Sequence, residues 1–253
     1  LEAYPHVDRK WLASLEAKII ESSDKIVFVG KKNRERFIEI HPEASEKAVH
    51  VHLGIEPLED IDEPREVNHN DVFTFVSVGT VCTRKNQRVL LEIARSKEII
   101  KPIRFIVVGG GPDLPFCEKL VEKYSLSDCV EFVGPSNDVA SYLSQADAFI
   151  STSYDEGLPT VALEAMSCSL PLVLTDVGGC SELIKGNGVL VSGCSPADIV
   201  AGINTFLDSF SRGEISGEAS LELFQKHYRT ESMCDEYAGL IKGLIEPHRQ
   251  PNT

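Results

Sequence analysis

The chain is 253 residues long, 42% hydrophobic and 25% charged, the composition of an ordinary globular protein with room for one full domain and part of another at roughly 100–200 residues per domain. Its 25 Lys and Arg against 39 Asp and Glu leave a net charge of −14, which excludes a broad electrostatic grip on nucleic acid and argues against docking on anionic lipid. The 7 cysteines are odd in number and form no C-x-x-C pair; they suggest neither a disulfide framework nor a zinc knuckle, and fit reduced, packed thiols in a cytosolic setting.

The start, Leu1-Glu2-Ala3-Tyr4, reads as neither a signal peptide nor an initiator methionine, which suggests a domain cut from a longer protein. No apolar run reaches the ~18–20 residues of a spanning helix. Apolar residues at Leu12, Leu15, Ile19 and Ile20 predict a helix over Trp11–Glu21. A short buried strand is expected at Lys25–Gly30, a helix at Asn33–Ile40 stopped before Pro42, and a strand at Ala48–Leu53. Gly54–Asp71, with Pro57, Pro64 and seven acidic residues among eighteen, is the clearest linker. From Val72 onward the pattern becomes regular strand-helix alternation. Strands are expected at Val72–Val78, Ile103–Val108, Val130–Val133, Ala148–Ser151, Pro171–Leu174 and Val189–Val191. Helices are expected between them at Gln87–Ala94, Phe116–Tyr124, Val139–Leu143 and Thr160–Ser167, then at Pro196–Phe210, Leu221–Tyr228 and Glu231–Leu244. The strands are short, β-branched and apolar on both faces, which predicts an α/β fold, a Rossmann-like parallel sheet with helices on both faces. Ligands of such sheets bind beyond the carboxyl ends of the strands, so the loops starting at Gly79, Gly109, Gly134, Ser151 and Thr175 are the candidate chemical edge.

Three of those loops carry informative residues. In Ser151-Thr-Ser-Tyr-Asp-Glu-Gly-Leu-Pro-Thr-Val-Ala-Leu-Glu-Ala-Met a strand ends, a loop follows, and a helix begins near Pro159. The unpaired N–H groups of Leu158, Thr160 and Val161 would make a ready anion site. Glu156 precedes the helix and Glu164 lies inside it, so one carboxylate can reach a sugar and the other can accept hydrogen bonds from ribose hydroxyls. Alone, Glu156 reads equally well as a solvated acid favoured by the helix dipole. Gly79-Thr80-Val81-Cys82-Thr83-Arg84-Lys85 is a second junction, with cations suited to phosphate oxygens; alone it reads as a solvated basic face. In Gly109-Gly110-Gly111 three glycines after a strand allow close approach to a base or ribose, but they do not match G-x-G-x-x-G.

Together these stretches resemble the donor domain of retaining GT-B glycosyltransferases of group 1 (family 4). The E-x7-E element is Glu156 and Glu164, and Gly178-Gly179-Cys180-Ser181-Glu182 and Gly188-Val189-Leu190-Val191 also fit. The resemblance covers roughly residues 14–243. It implies that Lys85 holds the donor diphosphate, Glu164 the nucleotide ribose and Glu156 the donor sugar. Gly157, Leu158, Pro159, Thr160 and Val161 would surround sugar and phosphate, and Gly109–Gly111 and Gly134 ribose and base. Many members carry Arg where this chain has Thr80, next to Gly79, which leaves Arg84 as the candidate second cation. The resemblance further implies a donor of the UDP or GDP type, no metal, no cofactor, and a carbohydrate or lipid-linked acceptor. It divides the chain into the end of an N-terminal acceptor domain (1–56), a linker (57–71), the donor domain (72–229) and a crossover helix with tail (230–253). The rest of that acceptor domain would be a partner within the same protein. The alternatives are a nucleotide-sugar binding module without catalysis, or another GT-B enzyme such as a nucleotide-sugar epimerase. His50-x-His52 reads as a surface or hinge pair rather than a metal site, and the cysteines as packing residues rather than nucleophiles.

Overall fold

A computed structural model describes residues 9–58 and 72–245. The expected linker therefore falls mostly outside the described residues. The first section holds α1 (Arg9–Ser22), β1 (Ile26–Phe28), α2 (Lys31–Ile40) and β2 (Ala48–His50), with a 3-10 turn at Pro42–Ala44 before β2. β1 and β2 pair in parallel, Ile26 opposite Ala48. β2 is shorter than expected because the chain turns away after Val51, whose N–H is the last to reach Phe28 O, at 3.1 Å. The next N–H, of His52, is taken by the carboxylate of Glu236 at 3.0 Å.

The second section alternates as predicted: β3 (Phe73–Val78), α3 (Val89–Ala94), β4 (Ile103–Val108), α4 (Leu114–Tyr124), β5 (Val130–Gly134), α5 (Val139–Ser144), β6 (Ala148–Ser151), α6 (Thr160–Ser167), β7 (Leu172–Thr175) and β8 (Gly188–Val191). A 3-10 turn at Cys180–Glu182 lies between β7 and β8, and α7 (Pro196–Ser211), α8 (Gly217–His227) and α9 (Thr230–Ile245) complete the chain. The sheet has six strands in the order β5-β4-β3-β6-β7-β8, and every adjacent pair is parallel. Numbered within the sheet this is 3-2-1-4-5-6, the doubly wound order that reverses direction between β3 and β6.

Period-two alternation divides the core between the two faces. Phe73 and Phe75 of β3, Phe105 and Val107 of β4, and Ile150 of β6 pack with Val89, Leu90 and Ile93 of α3 and with Ile203, Phe206 and Leu207 of α7. Val76, Ile106, Val108, Phe149, Leu172 and Leu174 point the other way, onto Leu143 of α5, Leu163 and Met166 of α6 and Phe224 of α8. Burial of each such side chain stabilises the fold by about 1.5–3 kcal/mol relative to exposure. That is why apolar runs on both faces were readable as central strands.

The two sections meet around β2 and α9. Ile55 N donates to Tyr228 O at 2.9 Å and Thr230 N to Ile55 O at 3.2 Å, a single parallel bridge at the start of α9. The chain packs so closely there that a Cβ on Gly54 would lie 2.3 Å from Arg229 O. α9 buries none of its residues, and Trp11, Leu15 and Ile19 of α1 are exposed.

Candidate active site at the sheet's switch point

The loops that follow β3 and β6 emerge side by side, because these strands are neighbours at the point where the sheet order reverses. After β3 the chain climbs through Gly79, whose N–H stays on Val108 O at 2.9 Å, and Val81, whose N–H reaches Gly110 O at 2.8 Å. The β4 loop lies against it: Gly109 has φ +143°, and a Cβ there would sit 2.0 Å from Gly79 O. Gly109 N–H in turn donates to Gly134 O at 2.8 Å. The expected glycine cluster is thus drawn together by the ends of β3, β4 and β5. Thr80 is exposed and uses its carbonyl to hold Gln87 Nε2 at 3.0 Å.

The β3 loop is then stitched to the β6 loop. Tyr154 N donates to Arg84 O at 2.8 Å. Thr152 Oγ1 lies 3.2 Å from both Lys85 O and Asn86 O. Asn86 takes a left-handed conformation, φ 56°, which asparagine tolerates better than most residues, and its side chain donates to Cys194 O at 3.3 Å.

This stitching brings Lys85 and Glu156 together although they are 71 positions apart: Lys85 Nζ lies 2.5 Å from Glu156 Oε1. Ser153 Oγ donates to the same oxygen at 2.6 Å, and Arg84 lies 3.6 Å from Oε2. Glu156 is only 7% exposed, so it is not a solvated acid at a helix start. Lys85 is 18% exposed and Arg84 48%; the basic face is half drawn into the site. Arg84 also donates to Asp155 O at 2.8 Å, which leaves it at the rim.

α6 begins just after Pro159, with no side chain capping its first turn. The N–H groups of Thr160 and Val161 therefore open the helix without an intrahelical acceptor. Leu158 and Pro159 are buried, Gly157 and Thr160 exposed. From the other side Gly179 N donates to Gly157 O at 2.7 Å. Gly178, at φ +50°, approaches so closely that a Cβ would fall 1.8 Å from Glu156 O.

Glu164 lies one turn into α6. It is half-buried, and among the described residues its carboxylate has no hydrogen-bond or ion-pair partner. Burial pushes its pKa above the usual carboxylate range, the signature of a carboxylate that lacks donors.

Sequence reasoning missed Ser153, Thr175 and Cys194, which back this site. Thr175 Oγ1 and Cys194 Sγ both approach Ser153 O, at 2.7 and 3.4 Å. Glu182, read only as the end of the Gly178–Glu182 stretch and given no role, accepts from the backbone N–H of Lys31 and lies 3.5 Å from His50 Nε2. The one available signal was position: Ser153 and Thr175 directly follow, or end, strands whose loops were already candidates. Cys117, Cys168 and Cys180 are packing residues as read, and burial pushes the first two up to about 11 and the third up to about 12, whereas Cys234 is exposed. His50 and His52 lie edge to face, ring centroids 4.6 Å apart, and among the described residues no group of His, Cys, Asp and Glu is arranged to hold a metal.

The doubly wound sheet, with a charged pair at its switch point and an uncapped helix start beside it, is a fold that solved structures share. The Anabaena Alr3699/HepE structure in complex with UDP superposes with a TM-score of 0.78 over 94% of this chain and 69% of that one, at 16% identity. The lipopolysaccharide outer core galactosyltransferase WaaB superposes at 0.72 over 87% of this chain and 62% of that one, at 20% identity. The sequence profile of the glycosyl transferases group 1 matches residues 59–216, and the chain belongs to that family. Curated relatives include a phosphatidylinositol N-acetylglucosaminyltransferase subunit of Arabidopsis thaliana, 35% identical over 53% of this chain and 30% of the relative. The O-antigen biosynthesis glycosyltransferase WbnH of Escherichia coli is 36% identical over 51% of this chain and 36% of the relative. These matches span well under half the length of either relative. Among the described residues no helix is long and apolar enough to cross a membrane.

Proposed function

We propose that this chain is the donor-binding part of an enzyme that transfers a sugar from a nucleoside-diphosphate sugar to an acceptor hydroxyl with retention at the anomeric carbon. The observation that carries the reading is the half-buried Lys85–Glu156 pair beside the uncapped α6 start, with the Glu164 carboxylate, unpartnered among the described residues, one turn farther in. Cleavage of the sugar–phosphate bond builds negative charge on the departing diphosphate. Lys85, Arg84 and the N–H groups of Thr160 and Val161 would stabilise that charge where it develops, without a metal. Glu164 would accept the two vicinal ribose hydroxyls, which supply the donors its carboxylate lacks. Glu156 would face the sugar.

UDP is the first donor nucleotide to test and GDP the second. The UDP and glucose in the HepE structures support that order. The names of the curated relatives support a carbohydrate or lipid-linked acceptor in glycoconjugate or polysaccharide assembly. Residues 1–56 fit the last portion of the acceptor domain and α9 the helix that returns to it, as the Ile55–Arg229 bridge suggests. The acceptor half would then come from the rest of the protein.

Calorimetric titration with UDP, GDP, ADP and CDP, with and without magnesium, tests the proposal. One diphosphate should bind independently of the metal. Glu164→Ala should weaken it by about 1.5–3 kcal/mol, the range for hydrogen bonds to a charged group. Unchanged affinity in that variant removes Glu164 from the site, and absence of binding to all four overturns the donor-site reading.

A further inference from the structure

Glu156 Oε1 carries two donors, the Lys85 ammonium at 2.5 Å and the Ser153 hydroxyl at 2.6 Å. A diphosphate that binds where proposed competes for the ammonium. As Lys85 turns toward phosphate, Glu156 loses its nearest cation in a site where it is only 7% exposed. Its remaining ionic partner is Arg84, 3.6 Å from the other oxygen and half in solvent. A buried carboxylate left so poorly paired is costly and free to turn.

Ser153 is built to prevent this. It is 1% exposed. Its carbonyl is pinned by Thr175 Oγ1 at 2.7 Å and Cys194 Sγ at 3.4 Å. Ser151 Oγ lies 3.3 Å from its hydroxyl and can donate to it, which leaves the Ser153 proton for Glu156. We propose that Ser153 is a positioning residue: it holds the Glu156 carboxylate on the donor sugar after the diphosphate has drawn Lys85 away. The inference rests on the donor-site reading above and adds to it the residue that sets how well the site distinguishes a nucleotide sugar from the bare nucleotide.

The test compares UDP with UDP-glucose by calorimetry in the unaltered chain and in Ser153→Ala, which removes one oxygen and adds no volume. UDP should bind both proteins within about twofold, whereas UDP-glucose should bind Ser153→Ala about tenfold more weakly, near the lower end expected for one hydrogen bond to a charged group. Equal losses for both probes would show a merely structural role and overturn the proposal, as would unchanged affinity for UDP-glucose. Failure of the unaltered chain to bind either probe overturns the UDP-type donor reading and this inference with it. A second measurement needs no ligand. In urea unfolding, Ser153→Ala should cost more in a Lys85→Met background, which has no donor at that position, than in the unaltered chain, because Ser153 is then the nearest remaining donor to Glu156. Strictly additive losses would count against the shared-oxygen arrangement.

Discussion

His50 Nε2 lies 3.5 Å from Glu182 Oε2, yet it is a buried nitrogen with no hydrogen-bond partner among the described residues. The other oxygen of Glu182 takes the backbone N–H of Lys31 at the start of α2, and its carbonyl accepts from Tyr228 at 3.2 Å. One carboxylate from the 3-10 turn between β7 and β8 thus anchors the first section. His52, its ring edge-on to His50, is tied to α9 through Glu236 at 2.8 Å, and His227 stacks on His52 at 5.6 Å.

Acid should loosen this junction. Burial, then His52, hold the His50 pKa below its usual value, with Glu182 and Glu236 opposing and Lys31 adding to the depression. The folded state therefore binds a proton less readily than the unfolded chain. This stability is complete above about pH 6.5, the ordinary histidine value, and is lost as pH falls from there through the lower folded pKa. Thermal unfolding between pH 8 and 5 should show this decline, and His50→Gln should flatten it. An unchanged profile in that variant would place the titration elsewhere, with His227 the next candidate, since burial also lowers its pKa.

Removing Lys85 should cost stability before any ligand is present. Lys85→Ala strips the strongest partner from a buried carboxylate, a change that typically costs about 3–5 kcal/mol. Ser153 and Arg84 remain, so a loss near about 3 kcal/mol in urea unfolding is expected. The same variant should weaken UDP more than uridine. Equal losses for the two ligands would speak against a phosphate role.

Gly178 should not accept a side chain. Gly178→Ala places a methyl at φ +50° and within 1.8 Å of Glu156 O, so the Glu156 loop must move. A destabilisation on the order of 3 kcal/mol is expected from strain and overpacking together, with loss of nucleotide-sugar binding. Wild-type stability and affinity would mean that the two loops can part without cost.

Alkylation should sort the cysteines by burial. Cys234 is exposed and Cys117, Cys168 and Cys180 are buried, with thiols pushed up to about 11, 11 and 12. Iodoacetamide at pH 8 should label Cys234 first and leave those three until unfolding. Peptide mass analysis over time would read the order, and early labelling of Cys180 would contradict the close packing behind Glu156.

The second section was legible because buried parallel strands are apolar on both faces, and every strand from Phe73 to Val191 lies within a residue of its expected place. Helix starts were harder. α3 begins at Val89 rather than Gln87 because the Lys85–Arg88 stretch is taken up by turns that end the β3 loop. α4 begins earlier than read, at Leu114, since Pro115 suits a first turn. Neither 3-10 turn carries a periodic signal long enough to read. At the site, chemistry was legible and pairing was not. Lys85 and Glu156 were each readable as residues of a ligand-facing loop, but their direct contact follows from the neighbouring positions of β3 and β6 in the sheet. Alone, Glu156 read equally well as a solvated acid because its loop is polar; Gly178 and Gly179 close over it from a segment more than twenty positions on. Ser153 sits in an ordinary polar stretch, and only the three-dimensional packing gives it a carboxylate to hold.

Because β3 and β6 stand side by side, the chain from Gln87 to Asp147 is a detour that leaves the charged pair and returns to it. That detour builds β4 and β5, the outer edge of the sheet on that side, where the Gly109–Gly111 and Gly134 loops lie. β3 and β6 pair directly, so that edge is built outward from the two strands whose loops carry Lys85 and Glu156. The glycine loops at that edge and the charged pair at the centre are therefore carried by separate stretches of the chain that meet only through the order of the strands.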